Sequence, residues 1–366
     1  MLTQALIASL GVAAVLGTPL ERRDDTQPVG TNPIKATTQF LGKQTSSNSC
    51  SHRDLGFTGQ LAGQWYGLYG DTLWCNGGVT NPDQDPEGFH GIVRDAITRM
   101  GSDPLKYEDL HLNGDSPVRH PLQFVPFNAA WGENQSYGFG GTSIVETGNG
   151  VGAVYYLVNT DKNVLIGAGI AKIEIVNNEP TVTQRLGNNG WWWDSTKVAR
   201  YGDQATFKDP KSDYIYTWGG PPTYITDYAG SQYAYMARVH AADAFDLSKY
   251  EYFWGRSQGW KRDVLTTFST DTAVMWGAGQ GQFVWSDFYQ VYIYVHIGGN
   301  KVLLRTATSI EGPWTPDVAV YEDKPINNGF VYAGVAHPYL DTSGRTLVIS
   351  WTNANTNPVV KVTFSK

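Results

Sequence analysis

The sequence predicts an all-β fold, a five-bladed β-propeller, from three observations. Alternating runs rich in Tyr, Val, Ile and Trp recur along the chain between turns of Gly, Asn, Asp and Pro, a pattern typical of strands. Helical periodicity is confined to one short stretch, residues 91–100. A pattern of three strands recurs five times, and radial repetition of sheets leaves few open strand edges. A β-sandwich or a β-helix is the alternative.

Each repeat opens on a segment of small and polar residues, which we expect to be the inner strand of a blade. These segments cover residues 53–58, 141–146, 203–208, 281–286 and 334–339. An aromatic, alternating strand follows each of them and starts at Gln64, Gly152, Asp213, Gln290 and Arg345. A third strand then carries a basic residue, in order Arg94, Lys172, Arg238, Arg305 and Lys361.

The fifth repeat ends at Lys366 after only three strands. We therefore expect residues 34–43 to supply its fourth strand and to close the ring from the N-terminal side. The sequence shows no second domain, so residues 24–366 are predicted to form one propeller domain.

Composition excludes several classes of protein. The 366 residues include 27 Lys and Arg against 34 Asp and Glu, a net charge of −7, with no run of basic residues. Binding to nucleic acid depends on clustered cations, so we expect neither a nucleic-acid partner nor a membrane partner. Because 13% of the residues are aromatic and only 17% are charged, the chain can bury a large core, and we expect a monomer.

The N-terminal region predicts secretion. Residues 1–17 form a short apolar stretch that ends in small residues, as in a signal peptide, and a membrane anchor is the alternative. Residues 18–23 end in Arg22-Arg23 and resemble a propeptide with a dibasic processing site. Cys50 and Cys75 are the only cysteines, so an oxidising compartment predicts one disulfide between them. Asn134 begins an N-glycosylation triplet in an expected loop.

The first repeat contains a pair of carboxylates. If Ala62-Gly63 is a two-residue hairpin turn, Asp54 directly faces Asp71 across the hairpin. Two such carboxyls cannot easily ionise together, so one of them tends to keep its proton. An acid beside a base or nucleophile is what cleavage of a glycosidic bond requires. The alternative is that either Asp pairs with Arg53 or caps a turn.

Further polar and aromatic residues are candidates for substrate binding. We expect Asp203, Gln282 and His337 to face the central channel, with Asp203 as a third carboxylate. Structural roles in the channel are the alternative. His52 lies beside Asp54 in sequence and is a candidate hydrogen-bond donor. Trp191 and Trp192 follow a Gly-rich loop and could present a flat ring to a sugar, or pack between blades. The seven His residues show no metal-ligand spacing, so no metal or cofactor is expected.

Several motifs resemble a known family. They are Arg53-Asp54-Leu55-Gly56, Tyr69-Gly70-Asp71-Thr72, Ala237-Arg238-Val239 and the segments 246–253 and 305–314. With them the chain resembles secreted five-bladed propeller glycosidases, and is most similar to the group that contains the endo-D-arabinanases of actinobacteria, long classed as a domain of unknown function. The resemblance implies that Asp54 and Asp71 are the catalytic pair. It also implies a furanosidic, arabinan-like polysaccharide or oligosaccharide as the substrate. Arg53, which precedes Asp54, is a further candidate for substrate binding. Residues 275–280 lack the acidic residue expected there in close relatives.

The predicted function is therefore a secreted, extracellular glycoside hydrolase. Two alternatives remain at this point. One is a carbohydrate-binding propeller without catalysis, which would use its Trp rings as platforms. The other is a propeller polysaccharide lyase with His337 or a Tyr as the base.

Overall fold

The computed structural model describes residues 26–86, 88–114 and 119–366. The predicted signal peptide and propeptide lie outside these described residues. The described strands form five separate sheets, and the inner strand of each sheet contacts the inner strand of the next, with the last contacting the first. The all-β, five-bladed propeller predicted from the repeats is confirmed.

The first blade contains the predicted carboxylate hairpin. Its strands are β2 (Thr45–Ser46), β3 (Ser51–Leu61), β4 (Gln64–Trp74), β5 (Ile92–Val93), β6 (Ala96–Met100) and β7 (Lys106–Asp109). Their order from the outside inwards is β2-β7-β6-β4-β3, with β5 also paired to β4. Ala62 and Gly63 both have positive φ, 50° and 78°, as a tight type I′ hairpin turn requires.

The helical expectation for residues 91–100 is wrong. This segment forms β5 and β6, and β6 pairs with β4 from Tyr66 to Tyr69. The β-branched residues Ile97 and Thr98 lie buried at its centre, where contacts with the neighbouring strand outweigh a weak local periodicity.

The next three blades follow the same plan. Blade two contains β8 (Gly138–Gly148), β9 (Val151–Asn159), β10 (Leu165–Val176), β11 (Glu179–Arg185) and β12 (Trp193–Asp194). Blade three contains β13 (Ala205–Lys208), β14 (Tyr214–Gly219), β15 (Tyr233–His240), β16 (Glu251–Phe253), β17 (Trp260–Lys261) and β18 (Met275–Trp276). Blade four contains β19 (Gly281–Ser286), β20 (Val291–Gly298), β21 (Lys301–Ala307) and β22 (Val318–Glu322).

The fifth blade is closed by the first strand of the chain. It contains β23 (Val331–His337), β24 (Thr346–Asn353) and β25 (Pro358–Ser365), with β1 (Lys35–Lys43) as its outer strand. β1 pairs antiparallel with β25 from Lys35 opposite Ser365 to Lys43 opposite Pro358. The N-terminal segment therefore closes the ring, as the missing fourth strand predicted.

Helices are short in the described residues. There is one α-helical turn, α1 (Tyr228–Ser231), and six 3₁₀ turns lie in the connections. The 3₁₀ turns are Pro82–Gln84, Ala129–Trp131, Ala241–Asp243, Leu247–Lys249, Ile326–Asn328 and Pro338–Leu340. Across the described ranges, no helix is both long enough and apolar enough to span a membrane.

The inner strands run in the same direction around the channel. Tyr332, near the start of β23, contacts Asp54 near the start of β3, and Thr58 Oγ1 donates to the Ala336 carbonyl 2.6 Å away, further along both strands. The inner strands therefore begin at a common end of the channel, which we call the site end. The predicted disulfide between Cys50 and Cys75 is present and joins the start of β3 to the end of β4 at this end.

Candidate active site

The hairpin of blade one is bulged where its carboxylates lie. The predicted register holds from the turn to Phe57 opposite Leu68, and again at Arg53 opposite Thr72. Between these pairs Leu55 lies opposite Tyr69, so each strand contains a compensating irregularity. Bulges of this kind re-aim side chains next to functional sites. Asp54 and Asp71 are therefore close neighbours in the bulge. The prediction that they form a regular cross-strand pair is wrong, because the bulge shifts the register between them.

Glycine at position 70 makes room for the carboxyl of Asp54. A Cβ atom on Gly70 would lie 2.3 Å from Asp54 Oδ1, far inside van der Waals contact. Asp54 Oδ2 accepts a hydrogen bond from the Tyr332 hydroxyl at 2.7 Å. Asp54 Oδ1 is buried and makes no side-chain hydrogen bond within the described residues. Tyr332 of blade five thus holds one oxygen of the Asp54 carboxyl, which lies partly buried in the bulge of blade one.

The surroundings of Asp54 favour its protonated form. Burial raises the pKa of Asp54 to about 7, and the negative charge of Asp71 acts in the same direction. The hydrogen bond from Tyr332 opposes this shift because it stabilises the carboxylate. Asp54 therefore keeps its proton close to neutral pH, as expected for a general acid.

Asp71 is the more accessible carboxyl of the pair. Its side chain is 47% exposed, and Arg94 Nη1 lies 3.4 Å from each of its carboxylate oxygens. Burial raises the pKa of Asp71, whereas the positive charge of Arg94 lowers it. The two interacting carboxyls share their titration. Greater exposure and a cationic neighbour make Asp71 the member that ionises first.

A buried third carboxyl was missed in the sequence. Asp95 is fully buried, and its Oδ1 accepts hydrogen bonds from the backbone N–H groups of Phe124 (2.8 Å) and Val125 (3.0 Å) and from Gln123 Nε2 (2.6 Å). Burial raises the pKa of Asp95 to about 7, and the charge of Asp71 adds to this. The available signal was a carboxylate directly after Arg94, in the short connection between β5 and β6.

Asp203, expected as the third carboxylate, lies at the site end just before β13. Its Oδ2 accepts a hydrogen bond from Arg200 Nε at 2.8 Å, and both side chains are largely buried. The structure therefore places Asp203 in an ion pair at the start of blade three, while Asp95 is the carboxyl beside Asp71.

Arg53 faces away from the carboxylate pair. Its side chain is buried, pairs with Asp109 at 2.8 Å, and lies over the rings of Tyr69 and Tyr107. It therefore forms neither the alternative pairing with Asp54 or Asp71 nor an accessible substrate contact. His52 Nε2 lies 2.7 Å from the Asp85 carbonyl, so this side chain anchors the loop after β4.

Gln282 spans the channel instead of lining a free surface. Its amide nitrogen donates to the Thr58 carbonyl at 2.7 Å and to Thr58 Oγ1 at 3.0 Å, and its oxygen accepts from the Ala336 N–H at 3.2 Å. This side chain thus connects blade four to blades one and five. With its polar atoms engaged in the channel, Gln282 has a structural role.

His337 lies at the far end of the channel. It ends β23, five residues beyond Tyr332, a separation of roughly 16 Å along an extended strand. Its Nε2 lies 2.8 Å from Ser350 Oγ, and burial lowers its pKa to about 3. The structure therefore does not bring His337 to the carboxylate pair.

The tryptophan run packs between blades. Trp193 is buried, and its indole N–H donates to the Tyr252 hydroxyl at 3.1 Å. Trp192 contacts Trp193 and Tyr250 edge to face, and Trp191 lies over Gly167 of β10. Trp191 and Trp192 are only partly exposed, so the packing alternative describes them better than the platform.

Two further predicted features can be located. Asn134 is exposed in the connection before β8, where its Oδ1 accepts from the Ser136 N–H at 2.8 Å. In the part of the chain that the structure describes, no group of three or more His, Cys, Asp or Glu side chains is arranged to hold a metal ion.

Comparisons with known proteins agree with this architecture. A search of curated proteins found no significant match. The fold is similar to the crystal structure of a candidate hydrolase from Bacteroides ovatus, with a TM-score of 0.56 and 17% identity over 87% of this chain and 86% of that one. It is also similar to exo-β-1,3-galactanase from Phanerochaete chrysosporium with bound β-1,3-galactotriose, at a TM-score of 0.52 and 12% identity over 88% of this chain. This chain spans 64% of the length of that galactanase.

At such identities these structures establish a shared fold. The sequence itself matches a family model, described as a domain of unknown function (DUF4185), over residues 177–362. The matched segment runs from the end of blade two into the last strand of blade five and leaves the carboxylate hairpin of blade one outside it. Since it covers just over half of the chain, the protein belongs to the DUF4185 family.

Proposed function

We propose that the protein is a glycoside hydrolase that cleaves furanosidic, arabinan-like polysaccharide with Asp54 and Asp71. The observation that carries this proposal is the placement of a carboxyl with a buried oxygen, Asp54, beside the more exposed carboxyl of Asp71 in the bulge of blade one. Burial raises the pKa of Asp54, which favours its protonated form. Glycosidic bond cleavage needs these two groups at one site.

The environments of the two carboxyls support separate roles. Asp54 donates its proton to the glycosidic oxygen as the bond from that oxygen to the anomeric carbon breaks. The ionised Asp71 either attacks the anomeric carbon or takes a proton from the water that does so. The hydroxyl of water ends on the anomeric carbon, and its remaining proton restores the protonated state of the pair.

The substrate class rests on two kinds of similarity. The galactanase structure holds a β-1,3-linked galactotriose, so a propeller of this shape accommodates an oligosaccharide. The motifs around Asp54 and Asp71 resemble those of the endo-D-arabinanase group, which favours a furanosidic glycan.

We propose extracellular secretion as part of the same function. Polysaccharides are extracellular substrates, and the Cys50–Cys75 disulfide is suited to an oxidising compartment. Removal of residues 1–23 during export and glycosylation at the exposed Asn134 belong to this proposal.

The two alternative functions have less support. A lyase would need an accessible base, whereas His337 is buried, and its pKa is lowered to about 3. A lectin built on the tryptophan run would need exposed rings, whereas Trp191 and Trp192 pack between blades.

The deciding experiment is chromatography of products after incubation with arabinans, galactofuranans and uronate polymers. We expect the unmodified protein to release shortened, saturated oligosaccharides, and Asp54→Asn and Asp71→Asn to release none while keeping the fold by circular dichroism. Asp213→Asn is the matched control, since its side chain is 94% exposed at the opposite end of blade three. Full activity in Asp71→Asn would contradict the mechanism, and unsaturated products would identify a lyase.

A further inference from the structure

An exposed aromatic ring lies two residues before the hydrogen-bond partner of Asp54. Phe330 ends the connection from β22 to β23 and is 61% exposed. Two residues later, Tyr332 donates its hydroxyl hydrogen bond to Asp54. Two residues of chain span at most about 7 Å, so the backbone of Phe330 lies beside that of the residue that contacts the proposed acid.

The loop that carries Phe330 is anchored by the side chain of Asn353. Asn353, buried at the end of β24, donates from Nδ2 to Asp323 Oδ2 at 2.8 Å and to the Lys324 carbonyl at 2.9 Å. Its Oδ1 accepts from the Ile326 N–H at 3.0 Å. One buried amide thus fixes the path of the loop in three places. The backbone that leads to Phe330 is therefore fixed before any ligand arrives, which lowers the entropic cost of binding.

Exposed aromatic rings are concentrated at the site end. Among the side chains that the structure describes, four aromatic rings are largely exposed, those of Phe40, Phe89, Tyr224 and Phe330. Three of them lie in connections at the site end, after β4, after β14 and before β23, whereas Phe40 lies on the outer strand β1. A single exposed apolar residue is ordinary, but its position at the site end, two residues from the hydrogen-bond partner of Asp54, favours a role in binding.

We infer that Phe330 is a sugar-stacking residue, which binds the apolar face of a sugar ring adjacent to the bond cleaved at Asp54 and Asp71. The inference rests on the proposed function and adds a determinant of substrate affinity to it. A sugar ring presents C–H groups on one face, and an aromatic ring at the edge of a polar cleft is a suitable partner for that face. Phe330 contributes to binding, while proton transfer depends on the carboxyls.

The test compares Phe330→Ala and Phe330→Trp with the control Phe40→Ala, which removes a ring that is 50% exposed on the outer strand of blade five. The probe is an arabinan hexasaccharide. We measure kcat and KM for cleavage of the hexasaccharide. Its dissociation constant is measured by calorimetry with the same variants, each also carrying Asp71→Asn to prevent cleavage. We expect Phe330→Ala to raise KM and the dissociation constant about three- to tenfold with kcat nearly unchanged. Phe330→Trp should restore both values, and Phe40→Ala should leave them unaltered.

The possible results separate the two proposals. Cleavage with a KM that is the same in Phe330→Ala and the unmodified protein would overturn the role of Phe330 and leave the hydrolase intact. Binding without cleavage, weakened by Phe330→Ala, would overturn the hydrolase and support the stacking residue. A protein that neither binds nor cleaves the hexasaccharide would overturn both.

Discussion

At the scale of single residues, the hydroxyl of Tyr332 tunes the acidity of Asp54. Its hydrogen bond at 2.7 Å stabilises the ionised carboxylate and therefore lowers the pKa of Asp54. In Tyr332→Phe we expect that pKa to rise, so the acid stays protonated to higher pH and the alkaline limb of the pH–rate profile moves up by about one unit. Tyr214→Phe is the control, because Tyr214 begins β14 at the end of blade three that lies away from the site end. An unmoved alkaline limb would show that Asp54 is not the acid.

The buried carboxyl of Asp95 predicts a pH-dependent stability. Its pKa is raised to about 7 from 3.8 by burial, so the folded protein holds this proton more tightly than the unfolded chain does. The stabilising contribution is complete below the unfolded pKa and is lost as pH rises through the folded pKa. Asp95→Asn lacks this loss, so its unfolding free energy relative to the unmodified protein should increase between about pH 4 and pH 8. Urea unfolding at both pH values measures the difference, and a pH-independent difference would contradict this account.

At the scale of elements, the bulged hairpin of β3 and β4 brings two carboxyls together. Gly70 is essential to it, because a Cβ atom there would lie 2.3 Å from Asp54 Oδ1. We expect Gly70→Ala to displace that carboxyl and to lower kcat by about 100-fold with secondary structure retained, since small misplacements of catalytic groups are costly. Gly140→Ala is the control, as no atom lies within 4 Å of its added Cβ. Comparable kcat values in the two variants would show that the bulge does not position Asp54.

At the scale of the whole molecule, the ring depends on β1. This strand covers β25 from Lys35 to Lys43, and its removal exposes an open edge on blade five. We expect a chain that begins at Gln44 to unfold at a lower temperature and to aggregate, whereas one that begins at Thr26 unfolds cooperatively. Calorimetry and light scattering measure both properties. Equal transitions in the two chains would show that the ring is held closed without β1.

Much of the fold was predictable because it depends on local pattern. The blades were predicted from period-two alternation and from a pattern of three strands that recurs five times. Turn residues predicted the hairpin at Ala62-Gly63, and the incomplete fifth repeat predicted the closing strand. The disulfide followed from having only two cysteines. These features depend on residues close in sequence or on simple counting, so the sequence by itself determined them.

The arrangement of the site was decided by contacts between distant segments. The bulges around Asp54 and Asp71, the burial of Asp95 under residues 123–125 and the pairing of Arg53 with Asp109 all involve partners that no local period reveals. The same holds for Gln282, which crosses the channel to two other blades. Alternation predicts which side chains share a face of a strand. The partners that each of these side chains contacts are set only when the five blades pack into a ring. Those partners decide the pKa of the side chain and its access to substrate.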